Sequence, residues 1–344
     1  MQPHTLARRD IERRLADVER VWAPRNGTAA DGLDAGRKFV ELSALGGLSV
    51  RVEVEQFLDL GRAEWQGTPI SFTPPASSRG DTSWLRRWGG GLLTTCGLRT
   101  VGPDRLGDMH GRAAGIPATV TTASGAWEGD RYVLRVEGRM REGALFDQNL
   151  TVERSITATV GEPEIRIRDL IRNESFTEDE LRVLYHVNFG WPLVDDGAEL
   201  LLDALRPDGS AFEAGRIGPP VDGASEKATI LRARADRTGW ARATLIGNEA
   251  QASLSWRPDQ LPAFTLWQSE VSGGYAIGIE PGTCWPSHLA GPDAPAHGVT
   301  LTAGSTHVID LVLRFSETAR DLRPADELPV ERAYGRGRDL PSPE

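Results

Sequence analysis

Six histidines lie along the chain, at His4, His110, His186, His288, His297 and His307. Two of them stand in similar settings. His110 lies in DMHGRAAGIPA, directly before Gly111, and His186 lies in LYHVNFGWPL, ahead of an FGWP turn. Imidazole changes charge near neutral pH, so both are candidates for proton transfer or for binding. For either one alone, a packed and hydrogen-bonded core histidine is the plainer reading. A carboxylate joins them in GGYAIGIEPGTCWPSH, where Glu280 closes an apolar strand just before Pro281 and Gly282. Strand alternation puts Glu280 on one face with Gly278 and Ala276, which leaves room above it. A carboxylate at the end of a buried strand is costly unless paired or used. Glu280 therefore either pairs with one of the many arginines or does chemistry.

A third stretch, WLRRWGGGLLTTCGL, sets Trp84, Arg86, Arg87 and Trp88 before three glycines. Aromatic faces stack on sugar C–H surfaces, and guanidinium groups donate forked hydrogen bonds to hydroxyls or carboxylates. A wall of a sugar site fits, but taken singly the stretch reads more simply as a sheet-edge cluster. In FLDLGRAEWQG, Asp59 and Arg62 read as a local ion pair.

Other chemistries are poorly supported. His110, His186, Glu280 and His288 are the right types for a two-histidine, one-carboxylate metal centre, but no close H-x-H or H-x-x-x-H pair supports one, and no metal or cofactor is expected. No G-x-S-x-G elbow and no phosphate loop occurs. Only Lys38 and Lys227 are lysines, and both sit among polar neighbours, unlike a Schiff-base lysine. The formal charge is -10, from 39 basic and 49 acidic residues, with no basic cluster of the kind nucleic acid requires. Cys96 and Cys284 are the two cysteines, too few for a disulfide framework and without C-x-x-C spacing. The start of the chain is charged rather than apolar, and no run reaches the ~20 apolar residues of a membrane helix. A cytoplasmic protein without a membrane or nucleic-acid partner is expected. The oligomeric state is left open.

The elements that must hold these residues are mostly strands. Residues 1–36 read as one N-terminal helix, capped by Thr5, plus a connector beginning at Pro24 and RNGTAADG. Residues 37–318 alternate: LSVRVEVEQFLDL, RYVLRVEGRM, LTVERSITATV, EIRIRDLIRN, ATLIGN, ASLSWR, YAIGIE and HVIDLVLRF, separated by turn signals such as PDG and SGG. Antiparallel sheets stacked as a sandwich follow, an all-β class. Residues 319–344, charged and rich in Pro and Gly, read as a loosely held extension.

The blocks DLGRAEWQGTPISF, GGGLLTTCGL, MHGRAAGIPA, YHVNFGWPL and IGIEPGTCWP, in this order, resemble the aldose 1-epimerase-like branch of the galactose mutarotase superfamily, many of whose members have no known function. The resemblance spans residues 37 to 316. It implies a β-supersandwich with a sugar cleft across one face and a small-molecule sugar as substrate. It also implies an isomerase that opens and recloses the sugar ring, with the anomeric hydroxyl losing a proton and the ring oxygen gaining one. Carried onto this chain, Glu280 matches the general base and His186 the general acid, on opposite sides of a hemiacetal. His110 matches the sugar-orienting histidine. Asn188, Trp267, Arg86 and Arg112 are the further substrate-binding candidates, and Arg87 is a third candidate for the site arginine. The chain departs from the family in GDMHGRA, where Arg112 replaces a second glycine. It departs again in lacking a clear substrate-binding aspartate: Asp259 sits in a loop-like RPDQLP, and Trp267 and Gln268 stand in its place. These departures leave the identity of the sugar open. A carbohydrate-binding protein without turnover, or another sugar isomerase or a lyase using the same cleft with Tyr185 or His186 as base, are the competing readings.

Overall fold

A computed structural model describes residues 7–76, 83–104, 109–290 and 298–318. Thr5, His4, His297 and the extension from 319 onward lie outside the described residues. The N-terminal segment forms two short helices, Arg8–Glu12 and Val18–Trp22, rather than one. Asp17 separates them because its carboxylate caps the second helix, accepting from the Arg20 amide at 3.1 Å. Ile11 is buried and the Trp22 ring meets Tyr132 at 5.9 Å, so this segment packs on the main body. The connector also contains a strand, Arg25–Thr28, paired with Lys38–Leu45.

Alternation reads true where one face meets the core. Glu164–Asn173 buries Ile165, Ile167 and Ile171 and exposes Arg166, Arg168 and Arg172 between them. LSVRVEVEQFLDL instead breaks into two paired strands, Leu48–Glu53 and Asp59–Trp65. The chain reverses through Phe57 and Leu58, both at positive φ. The strands build one five-stranded and two eight-stranded antiparallel sheets. Phe315, from one large sheet, packs on Phe189 of the other at 6.5 Å and on Trp65 of the small sheet at 6.3 Å. Among the described residues no helix is long and apolar enough to cross a membrane.

Two neighbouring strands matter for function. The histidine strand, Asp179–Gly190, lies between Leu93–Leu98 on one side and the carboxylate strand, Ala276–Gly282, on the other. From Val183 onward the histidine strand is buried on both faces. Tyr185, Val187 and Phe189 enter the sandwich. His186 and Asn188 face the other way, beneath the segment that follows the short helix Trp84–Arg87.

Candidate functional site

Strand register brings the two catalytic candidates together. Val187 pairs with Ile279 and Asn188 with Gly278, so His186 stands beside Glu280. On the far side of the carboxylate strand Glu280 pairs with Thr265 and Gly278 with Trp267; on the near side of the histidine strand His186 pairs with Thr94. One row across the sheet therefore reads Thr94, His186, Glu280, Thr265, and the next row carries Asn188, Gly278 and Trp267. Gly278 is required here: a Cβ at this position would lie 2.5 Å from Glu280 Oε1 and 3.1 Å from Trp267 Cβ. The room above the small-residue face is filled by the carboxylate itself.

His186 Nε2 and Glu280 Oε1 lie 3.1 Å apart. The sequence-based expectation set acid and base on opposite sides of a sugar; here they are adjacent. No arginine reaches Glu280 among the described residues. Despite its closeness to Nε2, Oε1 has no well-aligned hydrogen-bond donor among the described residues, and the Thr265 hydroxyl is likewise buried without a partner among them. Burial pushes the Glu280 carboxyl well above the usual carboxylate range, and the charge of Glu226 adds to the effect. Burial also lowers His186 to about 4, against the opposing lift of its hydrogen bond to Asn188.

Aromatic rings crowd this pair. Trp84 and Trp88 stack at 4.6 Å. Trp88 lies 5.3 Å from His186, with its indole N–H donated to Thr94 Oγ1 at 2.9 Å. Trp267 lies 5.5 Å from His186 and donates to Glu226 at 2.8 Å. Phe72, which no sequence signal singled out, bridges Trp88 and Trp267 at 5.7 and 5.9 Å. Trp88 and Trp267 remain half-buried.

His110 completes the cluster, 5.9 Å from His186 and edge-on to Trp84 at 5.1 Å. Its backbone is left-handed, at φ 63°. Gly111 follows at φ 69°, where any Cβ would meet the carbonyls of Gly97 and Thr100 at 2.7 Å. This explains the His-Gly pair: the turn carries the imidazole in over strand Leu93–Leu98. Burial, with the charges of His186 and His288, lowers His110 to about 3.

The arginines stand apart from the cluster. Arg86 and Arg112 are exposed, and neither bonds to a described residue of the cluster. Arg112 acts electrostatically on Glu142 instead. Arg87 lines an adjoining cavity with Asp59, Gly61 and Thr94; Trp84 and Trp88 border it too, but His186, His110 and Glu280 do not. Asp259 sits on the surface beside Arg257.

Asp59 and Arg62 do not pair. Arg62 bonds to Glu64, while Asp59 is buried and accepts from Arg154 at 2.9 Å and from Thr95 at 2.6 and 2.8 Å. Arg154, wholly buried, also clamps Asp169 at 2.7 and 2.9 Å, and Tyr185 donates to Asp169 at 2.6 Å. This network lies directly behind the site, since Tyr185 and Thr95 are the sequence neighbours of His186 and Thr94 on the opposite sheet face. It holds the Tyr185 phenol well above its usual range, first through burial and then through Asp169. The phenol faces the sandwich interior, on the opposite sheet face from His186. Among the described residues no three potential ligands converge to hold a metal ion.

The fold matches known structures over nearly its whole length. A proposed aldose 1-epimerase from Klebsiella pneumoniae superposes with a TM-score of 0.74 at 20% identity, covering 84% of this chain and 82% of that one. A galactose mutarotase-like protein from Clostridium acetobutylicum superposes at 0.61 with 13% identity, covering 86% and 99%. The galactose 1-epimerase of Lactobacillus acidophilus superposes at 0.59 with 15% identity, covering 86% and 99%. At these identities the likeness is one of fold: the galactose mutarotase-like β-sandwich. No curated protein matches the sequence. The family model that does match, over residues 34–315, is described as a domain of unknown function, DUF4432, and the chain belongs to that family, on an aldose 1-epimerase-like fold.

Proposed function

We propose that this protein is an aldose 1-epimerase-like isomerase that interconverts the anomers of a small sugar. The single observation that carries this reading is the 3.1 Å approach of His186 Nε2 to Glu280 Oε1 beneath half-buried tryptophans. In a cyclic sugar the anomeric hydroxyl and the ring oxygen are bonded to the same carbon. A pair that takes a proton from one and gives a proton to the other has to reach two oxygens on one carbon, and side chains this close can do so together. The C1–O5 bond breaks, the open aldehyde rotates about C1–C2, and the reverse transfer closes the other anomer. Each positioned proton transfer contributes roughly 10²–10⁴-fold. Trp88 and Trp267 offer apolar faces to the sugar's C–H surface, and His110 supplies a polar contact. Glu280 Oε1 and Thr265 Oγ1, buried without partners, are groups that a polyhydroxyl ligand would satisfy. No metal or redox cofactor is needed for such a step. Both cysteines are buried and unpaired, which fits a reducing compartment, and we place the reaction in the cytoplasm.

Anomer exchange of a panel of aldoses, uronic acids and rarer sugars, followed by NMR, tests the reading. One sugar is expected to exchange faster with the wild type, and both His186→Ala and Glu280→Ala are expected to abolish the effect. Sugars that bind without exchanging would overturn it in favour of a binding protein.

A further inference from the structure

Asn188 was expected to touch the sugar, yet it is wholly buried and all its polar atoms are used within the protein. Its amide nitrogen donates to the His186 carbonyl at 2.8 Å and to the Gly91 carbonyl at 3.3 Å. Two carbonyl acceptors on that side fix the amide: a flipped orientation would set its oxygen against both of them. The amide oxygen therefore faces His186 Nδ1, with which it forms a short contact. An oxygen that can only accept requires a proton on Nδ1.

His110 is held the other way. The Gly102 amide donates to its Nδ1 at 3.3 Å. A backbone N–H can only donate, so this Nδ1 carries a lone pair and the proton of the neutral ring sits on Nε2.

We infer that the two histidines are locked in opposite neutral tautomers, with Asn188 as the positioning residue that turns the bare Nε2 of His186 toward Glu280, while His110 presents Nε2–H as a fixed donor. The division of labour rests on the isomerase reading; the tautomers do not. With Nδ1–H fixed, Nε2 is the only nitrogen of His186 that can gain or lose a proton during turnover. Together Nε2 and the Glu280 carboxyl then hold a single mobile proton. When that proton rests on Glu280, Nε2 takes the hydrogen of the anomeric hydroxyl and Glu280 gives its own to the ring oxygen as the C1–O5 bond breaks. The open aldehyde is left beside an imidazolium–carboxylate pair, and closure returns both protons. Burial, which lowers the imidazole and raises the carboxyl, favours this resting form.

Long-range ¹H–¹⁵N NMR of the imidazole rings of the full chain, with assignments from His186→Gln and His110→Gln, tests this without any substrate. At neutral pH the wild type is expected to show protonated Nδ1 and bare Nε2 for His186, and the reverse for His110. Asn188→Ala should release His186 into a tautomer mixture. Asn188→Asp, which keeps an acceptor at Nδ1, should hold the tautomer and raise the pH at which the ring charges. An Nε2–H tautomer of His186 in the wild type, or an unchanged tautomer in Asn188→Ala, would overturn the inference. With an exchanging sugar in hand, Asn188→Ala should lower kcat by about 10²-fold or more with KM little changed, and Asn188→Asp should recover part of kcat with a shifted pH profile. An unaffected kcat would remove the positioning role. If the tautomers are as stated but no sugar exchanges, the isomerase reading fails and the tautomer assignment stands.

Discussion

Replacing Glu280 with glutamine changes no heavy-atom count but removes a titrating group, and the burial of that group sets the size of the effect. In the unfolded chain the carboxyl ionises near its ordinary value of 4.5; in the folded protein it stays protonated to well above that. Over the interval between, the folded state holds one proton more than the unfolded state. Folded stability therefore falls as pH rises, by about 1.4 kcal/mol per pH unit from this residue alone. Glutamine cannot ionise, so Glu280→Gln should gain on the wild type by that slope as pH rises above the ordinary carboxylate range. The difference should level off where the folded carboxyl ionises. His186 carries the opposite sign: its folded value is lowered from 6.5 to about 4, so its cost appears as pH falls through that window and amounts to about 3 kcal/mol at its foot. In the wild type the two slopes cancel over the interval they share, and each single variant exposes the other. Urea unfolding of the wild type, Glu280→Gln and His186→Gln across this pH range, at fixed ionic strength, measures both. A stability difference between Glu280→Gln and the wild type that does not vary with pH would mean that Glu280 is ionised in the folded protein, which would refute a resting proton on Glu280.

Three further outcomes follow from the geometry. Gly278→Ala places a methyl group 2.5 Å from Glu280 Oε1; it should cost about 1–3 kcal/mol in thermal unfolding and depress anomer exchange by displacing the carboxyl. Thr265→Val removes a buried hydroxyl that has no partner among the described residues; its Tm should hold or rise, since an unsatisfied buried polar group costs about 1–3 kcal/mol, while exchange should slow if the hydroxyl meets the sugar. Arg154→Met leaves Asp59 and Asp169 buried without their cation; chemical denaturation should show a loss of about 3–5 kcal/mol.

The all-β class and most strands were legible in the sequence because a strand buried on one face writes its environment at every second residue, as in Glu164–Asn173. The hairpin within LSVRVEVEQFLDL was not, because its reversal runs through Phe57 and Leu58, both wholly buried at positive φ with no turn residue to announce them. The N-terminal segment broke in two because Asp17 looks like any polar residue until its side chain is seen capping a new helix. Within the site, residue type and strand position pointed to His110, His186 and Glu280 as candidates, and the family resemblance added Trp267. They could not say where the Asn188 side chain bonds, since that depends on which carbonyls its amide finds.

By itself, then, the sequence determined which side chains are chemically competent and which strands carry them. Only the tertiary structure decided who pairs with whom. Asp59 ignored Arg62, three residues along, for Arg154, which is 95 residues away. His186 and Glu280, nearly a hundred residues apart in the chain, met through the register of two neighbouring strands. The local code is written in periodicity because each residue sees a core or solvent through its own backbone. Ion pairs, proton sharing and tautomers depend on distances of about 3 Å between side chains on different strands, and those distances exist only after the sheets have packed.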